Sequence, residues 1–203
     1  MKDFWDSRYS DADYAYGEAP NEYLKQQLAK FTPGKILFPA DGEGRNGVYA
    51  ATQGWDVYSF DISKEGKKKA TALAAKNKVA IKYDVCELAA TKYKPASFDA
   101  MALIYAHFPA DNKAAYHTLL NTYLRPGGII IMEAFGREHI KYNSINEKAG
   151  GPKDVNMLYS IEEIRELFTG FDIIELEEAY MMVDEGKYHK ALSNIIRFTG
   201  VKR

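Results

Sequence analysis

Cys86 is the chain's one cysteine, so no internal disulfide forms, and without a second thiol a cysteine-based zinc site is excluded. The four histidines, His107, His117, His139 and His189, lack paired metal-ligand spacing, and no metal is expected. No apolar run approaches the ~18 residues a membrane span needs, and the opening Met-Lys-Asp-Phe-Trp-Asp-Ser-Arg lacks the apolar core of a signal peptide. A cytoplasmic location and no membrane partner follow as expectations. A charge excess is lacking too: the net charge of -1 and pI near 6.4 argue against a surface that tracks nucleic-acid phosphates. Lys67-Lys68-Lys69, the basic run, reads as the solvated face of a helix. No Tyr-x-x-x-Lys pair occurs, which removes the catalytic signature of short-chain dehydrogenases. What remains is ordinary for a folded domain: 203 residues, 46% hydrophobic and 27% charged. A small-molecule substrate is therefore expected, and one domain covering residues 1–203, as monomer or homodimer.

Two sequence styles alternate along the chain. Lys35 to Ala40, Trp55 to Asp61, Val79 to Asp84, Phe98 to Tyr105 and Gly128 to Phe135 are short and rich in β-branched, aromatic or aliphatic residues, and read as strands. Helical stretches lie between them at about 45–53, 63–76, 86–93 and 111–124. Strands separated by single helices pair in parallel, which predicts a doubly wound α/β sheet. Gly54 is placed to close the first of these helices, Ser63 to cap the second and Asp111 to cap the fourth, while Ser160-Ile161-Glu162-Glu163 is a capping box opening a later one. Phe171 to Val183 and Asn194 to Val201 have no crossover helix between them, so the mostly parallel, seven-stranded sheet should end in an antiparallel hairpin. Lys141 to Asn156 has the composition of a long surface loop.

The first strand runs into Asp41-Gly42-Glu43-Gly44-Arg45-Asn46-Gly47, a turn that lets backbone N–H groups approach a nucleotide-like ligand. Asp41, Gly42, Gly44 and Asn46 are the candidate contacts. Asp61, with Ile62 beside it, ends the second strand about 20 residues after Gly42, where a carboxylate accepts ribose hydroxyls. Asp84 and the N–H of Val85, at the end of the third strand, are placed to read an adenine edge. Tyr105 and His107 follow the fourth strand, and ligands of open α/β sheets bind outside the carboxyl ends of the strands. Cys86 has no basic neighbour in sequence and reads as structural. Gly42-x-Gly44-x-x-Gly47 also fits the dinucleotide fingerprint, so an NAD-dependent oxidoreductase stays open at this point.

Taken together, the chain resembles a class I S-adenosylmethionine-dependent methyltransferase, and within that superfamily is similar to the bacterial tellurite-resistance and thiopurine methyltransferase-like group. The resemblance rests on Trp5-Asp6-x-Arg8-Tyr9, Tyr14-x-Tyr16-Gly17-x-x-Pro20-Asn21, Asp41-Gly42-Glu43-Gly44-Arg45-Asn46, His107-Phe108-Pro109, Leu124-Arg125-Pro126-Gly127-Gly128 and Glu185-Gly186-x-x-His189. It implies a Rossmann-like methyltransferase fold, S-adenosyl-L-methionine as cofactor, and methyl transfer to a thiol, a chalcogen oxyanion or a small amine. His107 becomes the candidate base for an acceptor that must lose a proton. Residues 1–34, with Phe4, Trp5, Tyr9, Tyr14, Tyr16 and Tyr23, become a helical lid, in which Tyr16 and Arg8 meet the cofactor. One departure stands out: Phe38 and Ala40 occupy the positions where the family carries an acid and a glycine, leaving Asp41 as the nearest partner for the methionine ammonium. That departure also keeps open a non-catalytic module that binds S-adenosylmethionine or S-adenosylhomocysteine.

Overall fold

Apolar residues on consecutive positions need cover on both sides, and β1 (Lys35–Pro39) gets it: Ile36 and Phe38 face one layer of the core and Leu37 the other. The computed structural model describes residues 1–203. Around β1 the sheet adds β2 (Asp56–Asp61), β3 (Lys82–Val85), β4 (Phe98–Ile104), β5 (Leu124–Phe135), β6 (Phe171–Glu185) and β7 (His189–Lys202) in the order β3-β2-β1-β4-β5-β7-β6. β1 to β5 pair in parallel, while β7 runs antiparallel to both β5 and β6. The Rossmann-like methyltransferase architecture expected from the sequence is the one observed.

The N-terminal segment contributes α1 (Lys2–Tyr9) and α2 (Glu22–Leu28), followed by α3 (Arg45–Thr52) after β1, α4 (Lys64–Lys76) after β2 and α5 (Lys113–Tyr123) after β4. Tyr23 and Leu24 of α2, and Ala50 of α3, pack with Ala100, Ala102 and Ile131 on one face. On the other, Leu120 and Tyr123 of α5 and Ile164 of α7 (Ile161–Leu167) cover Met101, Leu103, Ile130 and Met132. Ser63 and Ser160 cap their helices as expected, accepting from the Gly66 and Glu163 N–H groups, and Gly54 turns the chain after α3 at φ 90. Asp111 does not cap: it lies in a 3-10 turn over Ala110–Asn112, and Asn112 precedes α5 with no side-chain bond.

Several boundaries move, and β5 begins at Leu124 rather than Gly128. β3 starts at Lys82 rather than Val79, and the expected helix at 86–93 contracts to a single 3-10 turn, Leu88–Ala90. β7 reaches back to His189, so the hairpin is longer than its apolar stretches suggested. Its tip is held from outside: the Lys187 N–H donates to the Ala15 carbonyl at 2.9 Å, and Gly186, at φ 68, lies against the backbone of Ala15 and Tyr16. The loop after β5 carries the four-residue α6 (Ile140–Asn143) and three further 3-10 turns.

Candidate functional site

Strand order reverses at β1, between β2 and β4, and the carboxyl ends of these strands open into a cavity of about 1070 Å³. Its floor is the glycine turn. Gly42 (φ 56) lies under the Tyr9 ring, whose hydroxyl would be 2.6 Å from any added Cβ, and its carbonyl accepts from Tyr83 Oη at 2.6 Å. Ala40, standing where a glycine was expected, has φ 53, so the left-handed turn persists at an L-residue that pays some strain for it.

Gly44 has a different job from the one expected. It is not on the cavity wall; at φ 82 it precedes α3, and a Cβ there would come within 2.4 Å of Ala70 Cβ, so this glycine allows α4 to pack against the turn. Asp41 reaches the wall, but its carboxylate is turned inward, accepting from Ser59 Oγ at 2.7 Å and from the Gly47 N–H at 3.4 Å. That removes it as the ammonium partner. Burial pushes its pKa up to about 7, against the bonds from Ser59 and Gly47. The unfolded carboxyl releases its proton near ~3.9, so between that pH and about 7 the folded state binds more protons and stability falls as pH rises. Urea titrations of the protein and Asp41→Asn across this range should show the wild-type advantage shrinking with rising pH and levelling above about 7. A constant difference would contradict the buried protonated carboxyl.

Asp61 lines the cavity, and its two oxygens accept from the Gly42 N–H at 3.0 Å and the Ser63 N–H at 2.9 Å. Each carboxylate oxygen keeps a second lone pair, so the group braces the turn and still offers acceptors to ribose hydroxyls. Ile62 and Asn46 are on the wall as well, and Asn46 Oδ1 accepts from the Asn21 N–H at 2.9 Å. Asp84 and Val85 are not. Asp84 is exposed and its carboxylate faces Tyr93 Oη at 3.4 Å; the wall at this end instead includes Phe60, Cys86 and Leu88, apolar surface that suits a flat base, together with Glu87. Tyr83 takes the buried face of this short strand, and alternation leaves Asp84 on the exposed one.

α1 forms the opposite wall. Asp6 Oδ1 accepts from Ser63 Oγ at 2.6 Å and from the Lys64 N–H at 2.9 Å, docking α1 on the N-terminus of α4. Arg8 lies over the Phe4 and Tyr188 rings at 4.5 and 4.0 Å and donates to Tyr16 Oη at 3.0 Å, and both Arg8 and Tyr16 stand on the wall.

Tyr105 and His107 also reach the cavity. Tyr105 has φ 52 and donates its hydroxyl to Glu133 Oε1 at 2.9 Å. His107 differs from expectation: Nδ1 is 2.9 Å from the Met157 carbonyl and Nε2 accepts from the Phe135 N–H at 3.2 Å. Both ring nitrogens are tied to backbone, and burial lowers its pKa to about 3 despite the Met157 carbonyl. This histidine has no free lone pair and serves to fix the chain after β4 against β5. His189 at the start of β7, the loop residues Asn143, Gly150 and Met157, and Tyr188 complete the wall; of these only His189 stood in a motif, and none had a role assigned from the sequence.

Behind the wall runs a buried polar chain. Arg45 Nη2 pairs with Glu185 Oε2 at 2.7 Å, Asn21 Nδ2 donates to Glu185 Oε1 at 2.9 Å and to Glu133 Oε1 at 2.6 Å, and Arg197 Nε reaches Glu133 Oε2 at 2.7 Å. Asn21 also caps α2, its Oδ1 accepting from the Leu24 N–H.

Comparison with known proteins agrees with this geometry. Residues 36–128 match a family model described as a methyltransferase domain. No curated protein matches the sequence. Among solved structures, one described under the conversion of a disulfide bond into a thioacetal group during echinomycin biosynthesis is similar over 100% of this chain and 91% of its own, at 18% identity and a TM-score of 0.78. TehB from Haemophilus influenzae aligns over 100% of this chain and 67% of its own, at 14% identity and a TM-score of 0.73. A Burkholderia thailandensis 1,6-didemethyltoxoflavin-N1-methyltransferase, with S-adenosylhomocysteine bound, aligns over 98% and 85%, at 18% identity and a TM-score of 0.67. At these identities the likeness is one of fold. Residues 36–128 thus match a methyltransferase-domain model, and the fold they belong to is the one these solved structures share.

Proposed function

We propose that the protein transfers a methyl group from S-adenosylmethionine to a small-molecule acceptor, a thiol, a chalcogen oxyanion or a small amine. The observation that carries the reading is the cavity itself. Its adenosine end, at Asp61 and the Phe60-Cys86-Leu88 slot, is continuous with a second compartment walled by Tyr105, Asn143, Met157 and His189. Asp61 holds the ribose hydroxyls, Arg8 the carboxylate, and the slot the base. The cofactor supplies an electrophilic methyl on a sulfonium; the chain supplies alignment and exclusion of water, which in such transfers outweigh acid–base help. α1 and the segment to Tyr16 act as the lid. Ala40 keeps the left-handed turn, so the substitution that suggested a non-catalytic binder leaves the turn's backbone form unchanged.

Asn143 favours an acceptor that carries a hydrogen-bond donor: it is 1% exposed, on the wall, and its Oδ1 has no partner while Nδ2 donates to the Pro152 carbonyl. An N–H or S–H acceptor satisfies that oxygen; an oxyanion does not. Release of S-adenosylhomocysteine, measured across small amines, thiols, selenite and tellurite, tests the proposal. Turnover of at least one acceptor is expected, with calorimetric binding of S-adenosylhomocysteine weakened when residues 1–20 are removed. Binding without turnover of any acceptor would leave the non-catalytic module standing.

A further inference from the structure

We propose that His189 accepts the proton that the methyl acceptor loses, with Glu185 as the positioning residue, and that the site therefore takes N–H or O–H nucleophiles neutral at pH 7. This rests on the methyl-transfer reading above. His107 and His189 are the two histidines on the cavity wall, and His107 has both nitrogens committed to backbone. His189 has neither committed. Its ring is 6% exposed and lies 4.5 Å from the Tyr16 ring and 4.7 Å from the Tyr105 ring, centroid to centroid, both residues being on the wall. Nδ1 is sealed from solvent without a hydrogen bond and stands 3.6 Å from Glu185 Oε2. Nε2, on the ring edge next to Gly150, bonds to no protein group. A contact of this length tightens when charge develops on the ring.

Glu185 is built to orient rather than to react. Burial opposes its ionisation, but His189 and Arg45 outweigh that and hold its pKa near 2, and Asn21 fixes its other oxygen. A fixed carboxylate beside Nδ1 selects the tautomer with the proton there and leaves the Nε2 lone pair for the cavity. The other charged or titratable groups facing His189 are Tyr188 from the hairpin, Arg45 from α3, Arg8 and Tyr16 from the N-terminal segment, Tyr105 and His107 beyond β4, and His139 beyond β5. Burial and the nearby arginines lower the His189 pKa while Glu185 raises it, with a net shift downward, so the ring is neutral at pH 7 and able to accept a proton. In the step itself the acceptor's lone pair forms the bond to the methyl carbon, and the carbon–sulfur bond breaks with its electron pair left on sulfur. The acceptor's proton passes to Nε2. The sulfonium's positive charge is thus replaced by that of an imidazolium that Glu185 stabilises.

Two measurements test this. Long-range ¹H–¹⁵N spectra of the imidazole-labelled, ligand-free protein at pH 7 should show His189 protonated on Nδ1 with Nε2 bare, a preference lost in Glu185→Gln; an Nε2–H tautomer in the wild type overturns the assignment. Calorimetry and turnover are then compared for wild type and His189→Gln. Affinity for S-adenosylhomocysteine should be unchanged, while kcat for an N–H or O–H acceptor falls by about 10²- to 10⁴-fold with little change in KM, and the acidic limb of the pH–rate profile disappears. A wild-type rate and profile in His189→Gln, or turnover confined to thiols and oxyanions, overturns the proposal. Failure of the wild type to bind S-adenosylhomocysteine would instead strike at the methyl-transfer reading, whatever the tautomer.

Discussion

Glu133→Ala is expected to lower the unfolding free energy by about 3 kcal/mol, the lower end of the range for breaking a buried charge pair. Glu133 is 2% exposed near the C-terminal end of β5, where it accepts from Arg197, Asn21 and the Tyr105 hydroxyl. Removing it strands the Arg197 guanidinium, whose remaining carboxylate, Glu177, is 3.4 Å away and half exposed, and leaves the Asn21 amide with one acceptor instead of two. The side chain of Arg197 is 21% exposed, so water recovers part of the loss, which is why the lower end applies. Glu133→Gln keeps an acceptor oxygen and should cost less. Urea unfolding measures both, and a loss below about 1 kcal/mol for the alanine variant, the scale of an exposed pair, means that the network is solvated and not a buried support.

Asp61→Ala should weaken S-adenosylhomocysteine binding by roughly 1.5 to 3 kcal/mol, the usual worth of a hydrogen bond to a charged group, or about 10- to 150-fold in Kd. Because Asp61 also accepts from the Gly42 and Ser63 N–H groups, some loss of stability should accompany the loss of affinity. Calorimetry on the folded variant, with its unfolding curve measured alongside, separates the two effects. Reduced stability with wild-type affinity would make Asp61 a brace of the glycine turn and nothing more.

The sheet was legible because its signals are local. Apolar strands, Gly54, Ser63 and the Ser160 box each act within a few residues, and the missing crossover before β7 was enough to turn the last strand antiparallel. Glycine spacing located the cofactor end for the same reason, yet it could not say that Gly44 faces Ala70 rather than the ligand, since that depends on where α4 packs. Asp84 was misplaced because β3 runs on to Val85 and its buried face belongs to Tyr83, which leaves the neighbouring Asp84 side chain outside. His107 and His189 show a deeper limit. Both follow or begin strands at the same end of the sheet, and only the distant backbone of Met157 and Phe135 ties up one of them. Asn21, whose amide joins two carboxylates far apart in sequence, stood in the sequence only at the end of the Tyr14-to-Asn21 motif, which gave no sign of those contacts.

The cavity wall draws on two kinds of chain segment. Gly42, Ile62 and Cys86 come from turns after β1, β2 and β3, which are tied into the sheet, whereas Asn143, Gly150 and Met157 come from the irregular segment between β5 and α7. Substitutions in that segment can therefore reshape one part of the wall without disturbing the register of any strand.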